Sequence, residues 1–158
     1  MIKSLLEPLS YWRKLGLGIL DGVDFMASGE ALETLRPAWI AFEGALLVVG
    51  LIFWVALMFG VSAFDPDTWG AWACQFPALM WAGIQITASV MIIYGLMRPI
   101  TYQVAAAGAL IHALQYEVLA MSAIFSGGQV VIGIYPSVLF APAHIVLAVE
   151  AWRYGRKR

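Results

Sequence analysis

The side chains with the most chemistry to offer lie in runs that are otherwise soluble in hydrocarbon. The stretch GALIHALQYEVLAMSAIF, residues 108–125, carries His112, Gln115 and Glu117, and the run over about 129–152 carries His144 and Glu150. Two imidazoles on neighbouring helices could ligate a haem or another pigment as an axial pair. They could instead join Glu117 in a proton path. The plainest reading is that each histidine donates a hydrogen bond to a carbonyl, to Gln85 or to Glu117 and so fixes helix packing.

Spacing limits these choices. His112 and Glu117 are five residues apart, about 140° around a helix, so they cannot both face one ligand directly. Ala109, Ala113, Glu117 and Ala120 share one face, while Gly108, His112, Gln115 and Tyr116 form the adjacent stripe. The pattern recurs with Ser137, Ala141, His144, Ala148 and Ala151, and again with Gln75, Ala78, Ala82, Gln85 and Ser89. Small residues beside polar ones mark helices that approach closely in lipid, so these faces are expected to meet. If the last two spans form a hairpin turning at Gly127 and Gly128, His112 and His144 each lie sixteen residues from Gly128 and should share a depth. Pro136 and Pro142 can bend the last helix and free carbonyls one turn earlier. A three-residue turn makes it awkward to open that hairpin by the width of a haem.

The elements that must position these residues follow from composition. Of 158 residues, 62% are hydrophobic and 12% charged, against about 25% charged in soluble domains. The expected fold is therefore an all-α integral membrane protein. Crossing a core about 30 Å thick takes roughly 20 apolar residues, and four such spans are expected at about 38–64, 69–97, 100–125 and 129–152. Residues 1–37 form the segment before this four-helix domain of residues 38–152, and residues 153–158 form a basic tail. Glu43 and Glu150 fall near span ends, where snorkelling or pairing with Arg36, Arg98 or Arg153 would satisfy them.

With four spans, all nine Lys and Arg fall on one side: Lys3, Arg13, Lys14, Arg36, Arg98, Arg153, Arg156, Lys157 and Arg158. The connections FDPDT (64–68) and SGG (126–128) carry none. The positive-inside rule then places both termini and the Arg98 turn in the cytoplasm, with the chain in the inner membrane. Trp39, Trp69, Trp72, Tyr94, Tyr102, Trp152 and Tyr154 lie near the span ends as interfacial aromatics do.

Before the first span, Leu5, Leu9, Trp12, Ile19, Val23 and Met26 recur at helical spacing. They predict an amphipathic interfacial helix over about Pro8–Met26, weakened by Gly16, Gly18 and Gly22 and needing lipid or a partner surface. A short helix capped by Ser28, with Glu30 and Glu33 in its first turn, is expected to end at Arg36 and Pro37 as the chain turns into the membrane. The tail WRYGRKR suits anionic lipid. No cleaved signal is read at the start, and Met1 is taken as the mature start.

Several function classes drop out. No HExxH, nucleophile elbow or phosphate loop is present, so an enzyme is not expected except as a cofactor-holding subunit. Cys74 is alone, excluding an intramolecular disulfide or cysteine cluster, and no metal-ligand spacing is visible. A net charge of −1 gives no reason to expect nucleic acid. The leading expectation is a small multi-pass subunit of a larger membrane complex, packing through its helix faces and interfacial helix, with no cofactor. The alternatives are an oligomeric channel, a proton-handling or holin-like pore involving Glu117, Gln85, Gln115 and Gln75, and a b-type haem or pigment anchor on His112 and His144. Partners are thus the bilayer, other membrane subunits or copies of itself. The compact spans and clean charge asymmetry fit a bacterial or phage origin.

Overall fold

The structure, a computed structural model, describes residues 30–60, 66–129 and 136–156. The amphipathic helix expected over Pro8–Met26, its following Ser28 cap and the basic residues Lys157 and Arg158 lie outside the described residues. Within them the chain is all-helical: α1 (Glu30–Met58), α2 (Pro66–Trp69), α3 (Ala78–Met97), α4 (Tyr102–Phe125) and α5 (Ala141–Arg156). Three segments, Leu32–Met58, Ala78–Met97 and Tyr102–Phe125, are long and apolar enough to cross a membrane. The fourth expected span begins among residues not described; a π-helical turn, Pro136–Phe140, leads into the 16 residues of α5.

Two element boundaries differ from the sequence expectation, each at a proline. Arg36 and Pro37 do not mark a turn: α1 runs unbroken from Glu30 through Pro37. Proline there forfeits one backbone bond, and the long apolar run that follows keeps the helix intact. The second span does not begin at 69. Pro77 precedes α3 with ψ near 135°, and Phe76 is extended, as steric conflict with a following proline ring demands. Residues 66–77 form instead a cap of short helical turns, which puts exposed Gln75 in a 3-10 turn rather than on the α3 seam.

Helix α4 packs against both α3 and α5, while α1 lies against α3 and reaches α5. Small residues permit this. A methyl at Gly108 of α4 would sit 2.8 Å from the Ala88 carbonyl oxygen of α3, so only glycine lets the two backbones approach so closely. Along α4, Ala105, Ala106, Ala109, Ala113, Ala120 and Ala123 are all buried. At one end of the bundle the Tyr102 hydroxyl donates to Glu33 (2.9 Å), Arg36 pairs with Glu33 (3.1 Å), and Arg98 lies over Tyr94. At the other end the cap folds onto the C-terminus of α4. The Ala73 amide donates to Ser122 Oγ (2.7 Å), and the Ala71 amide to the Ser126 carbonyl (3.1 Å). Gly70, at φ +81°, makes this approach possible. The outer face of α1 exposes Val48, Val49, Ile52, Val55 and Met58, a surface suited to lipid rather than water.

Candidate functional site

Midway through the bundle each long helix and α5 contribute polar groups to a single cluster. Glu43 comes from α1, Ser89 and the Gln85 carbonyl from α3, His112 from α4 and His144 from α5; Glu43, Ser89, His112 and His144 are all 0% exposed. The longer α1 explains the position of Glu43. Thirteen residues past Glu30, it lies about 20 Å along the helix. It is therefore not the interfacial residue expected from a span beginning at Ala38, and it does not pair with Arg36, Arg98 or Arg153.

The distances are short. His144 Nε2 lies 2.8 Å from Glu43 Oε1 and 3.1 Å from His112 Nδ1, and His112 Nδ1 lies 3.5 Å from Glu43 Oε2. The other nitrogen of each ring faces a backbone carbonyl: His112 Nε2 donates to Gln85 O (3.1 Å) and His144 Nδ1 to Phe140 O (2.7 Å). A carbonyl accepts only, so these contacts assign a proton to His112 Nε2 and to His144 Nδ1. In the neutral imidazoles the facing nitrogens, His112 Nδ1 and His144 Nε2, then carry lone pairs. Both point at each other and at a carboxylate. The Ser89 hydroxyl donates to Glu43 Oε2 at 3.0 Å, its only proton being spent there.

Three acceptors thus converge in a buried space with no donor among them. Such an arrangement is unfavourable unless a proton, on a ring or on the carboxyl group, or a metal ion sits between them. Aromatic rings wall it off: Trp39, Tyr116 and Phe42 have ring centroids 5.7, 5.5 and 6.2 Å from that of His144. Beside it lies a cavity of about 270 Å³ between α1, α3 and α4, lined by Phe53, Trp81, Gln85, Gln115, Tyr116 and Phe140 among others. Gln85 and Tyr116 connect the two, since each also borders His112.

The remaining candidates separate from this centre. Gln115 Nε2 donates to the Trp81 carbonyl (3.1 Å), while its buried Oε1 has no hydrogen-bond partner among the described residues. Glu117 is half-buried and outside the cluster. Glu150 sits beside Arg153, 3.9 Å away, as a same-helix pair. For haem the geometry is adverse: an axial pair needs imidazoles on opposite faces of a macrocycle, and here the two nitrogens are in direct contact.

Sequence reasoning missed Glu43 and Ser89 as members of the site. The available signal was that Glu43 is the single ionisable residue in the first apolar run, which is by default a functional hint at membrane depth. Glu43, His112 and His144 stand 69 and 32 residues apart, so no local ligand spacing announces them. No protein family, curated protein or solved structure matches the chain.

Proposed function

We propose that this chain is an ion-handling membrane protein of four spans, both termini cytoplasmic, whose helices close around a buried cation-binding centre formed by Glu43, His112 and His144. One observation carries the reading: two imidazole lone pairs and a carboxylate converge within 3.5 Å of one another with both outer ring nitrogens already committed to carbonyls. Four spans follow if residues 129–140 complete the last crossing, and the clustering of Arg36, Arg98 and Tyr154 about the Tyr102 end supports one basic face. The N-terminal amphipathic segment would then lie along that cytoplasmic face.

Glu43→Gln tests the centre, because it separates a cation site from ordinary packing by the sign of its effect. With a cation present, removing the carboxylate charge takes away its counter-charge, so the ion or proton is released, the stability its binding supplies is lost, and a lowered Tm is expected. Without one, the introduced side-chain amide would offer donors to the two lone pairs and remove a buried charge, raising stability. Thermal unfolding of the detergent-purified protein reads the difference; a raised Tm refutes the cation centre.

A second reading, a packing subunit of a larger membrane assembly, draws on the apolar outer face of α1. Lipid covers that face equally well. Stable copurification with another membrane chain would favour the subunit.

A further inference from the structure

We infer that the cation is a divalent first-row transition-metal ion, held by His112 Nδ1, His144 Nε2 and a Glu43 carboxylate oxygen. The inference rests on the cation centre argued above and goes beyond it by naming the occupant. Donor atoms about 2.0–2.2 Å from one tetrahedral ion lie about 3.3–3.6 Å from each other. Here His144 Nε2 is 2.8 Å from Glu43 Oε1 and 3.1 Å from His112 Nδ1, the other carboxylate oxygen, Oε2, is 3.5 Å from His112 Nδ1, and one donor atom from each residue lies within 4.8 Å of the other two. The three donor groups thus stand close to the corners of one coordination polyhedron.

The surroundings match what a metal requires. An imidazole bound to a metal donates its other N–H to a carbonyl or carboxylate, which fixes ring orientation and makes the ligating nitrogen more basic. Gln85 O and Phe140 O do this for His112 and His144, and Ser89 does the corresponding work for the carboxylate. Two imidazoles with one carboxylate suit zinc, iron, copper or nickel, whereas calcium and magnesium take oxygen. A proton fits less well. Placed on His144 Nε2 it bonds Glu43 Oε1 well but reaches His112 Nδ1 only as the second branch of the same hydrogen bond, whereas a metal ion engages all three donors at once. The complex carries one net positive charge, and the faces and edges of Trp39, Phe42 and Tyr116 surround it in place of water. Three protein donors leave a fourth position for water or a small ligand, and the adjoining cavity past Tyr116 and Gln85 supplies an approach to it.

The test uses the full chain in detergent, loaded with Zn²⁺ or Co²⁺ alone and dialysed. Roughly one ion per chain should remain, with X-ray absorption showing two imidazoles and oxygen in the shell. His112→Gln and His144→Gln should each weaken Zn²⁺ binding by roughly 100-fold or more, while Glu117→Gln leaves it within about twofold. Should a histidine variant fail to fold, the wild-type absorption spectrum still decides. A shell of oxygen or sulfur only, or no retained ion, overturns the metal. If no ion is retained and Glu43→Gln still lowers Tm, the occupant is a proton and the cation centre stands. If no ion is retained and Glu43→Gln raises Tm, both readings fall.

Discussion

At the scale of single residues, the protonation pattern of His112 and His144 is dictated by their outer partners, and the consequence falls on the inner ones. Because Gln85 O and Phe140 O only accept, the two rings cannot satisfy each other, and Glu43 cannot help as a carboxylate. Ser89 is the outermost support that a side-chain substitution can remove. Its hydroxyl donates to a charged, fully buried oxygen, a class of hydrogen bond that contributes about 1.5–3 kcal/mol. Ser89→Ala is accordingly expected to lower stability by about that amount, read by thermal unfolding, and to weaken Zn²⁺ binding by roughly 10-fold, read by competition with a chelating dye. Glu117, half-buried and off the cluster, should tolerate Gln with no comparable loss of ion binding. A large effect at Glu117 with a small one at Ser89 would reverse the assignment of the site.

At the scale of elements, the site depends on how near α3 and α4 come. Gly108 is one helical turn from His112 on α4, and a Cβ there would meet both Ala88 O and Met91 Cβ at 2.8 Å. Gly108→Ala is expected to force the helices apart and destabilise the protein by about 1–3 kcal/mol, and to loosen ion binding with it. Gly83 provides the contrast. Nothing lies within 4 Å of its added Cβ, so Gly83→Ala should be neutral or stabilising by up to about 1 kcal/mol. Parallel Tm measurements on the two alanine variants test the packing directly; equal behaviour would mean that the α3–α4 approach is not limiting. Proline shapes the elements on either side. Pro77 ends the cap and starts α3, whereas Pro37 is absorbed within α1, and that continuity of α1 places Glu43 at the middle of the bundle rather than its margin.

At the scale of the whole molecule, the bundle has two dissimilar ends. One gathers Glu33, Arg36, Arg98, Tyr102 and Tyr154, and the other is the cap of residues 66–77 hydrogen-bonded to Ser122 and Ser126. On the proposed topology, which puts the basic end in the cytoplasm, reporter fusions at Asp67 and Gly127 should report the far side and fusions after Arg156 the cytoplasm. A cytoplasmic signal at Asp67 or Gly127 would break the four-span arrangement. The cluster ties α1, α3, α4 and α5 together at a single point, so loss of its occupant should affect the whole bundle cooperatively rather than one helix. Metal removal by a chelator is therefore expected to lower Tm of the wild type and to have little effect on Glu43→Gln, which has already lost the charge that holds the ion.

The apolar runs, the lone carboxylate within the first of them, the small-residue faces of α4 and the equal distance of His112 and His144 from Gly128 are all visible in the sequence. These are local or periodic properties: hydropathy needs only a run of about 20 residues, and a shared face only the turn of a helix. What the tertiary structure alone decided is that Glu43 meets both histidines and that Gln75 and Glu117 do not join them. That outcome turns on α1 continuing through Pro37, on Pro77 setting the start of α3, and on a close helix approach at one glycine. The direction of the lone pairs follows from still finer detail, the carbonyls of Gln85 and Phe140 behind each ring, and backbone acceptors leave no mark in a sequence.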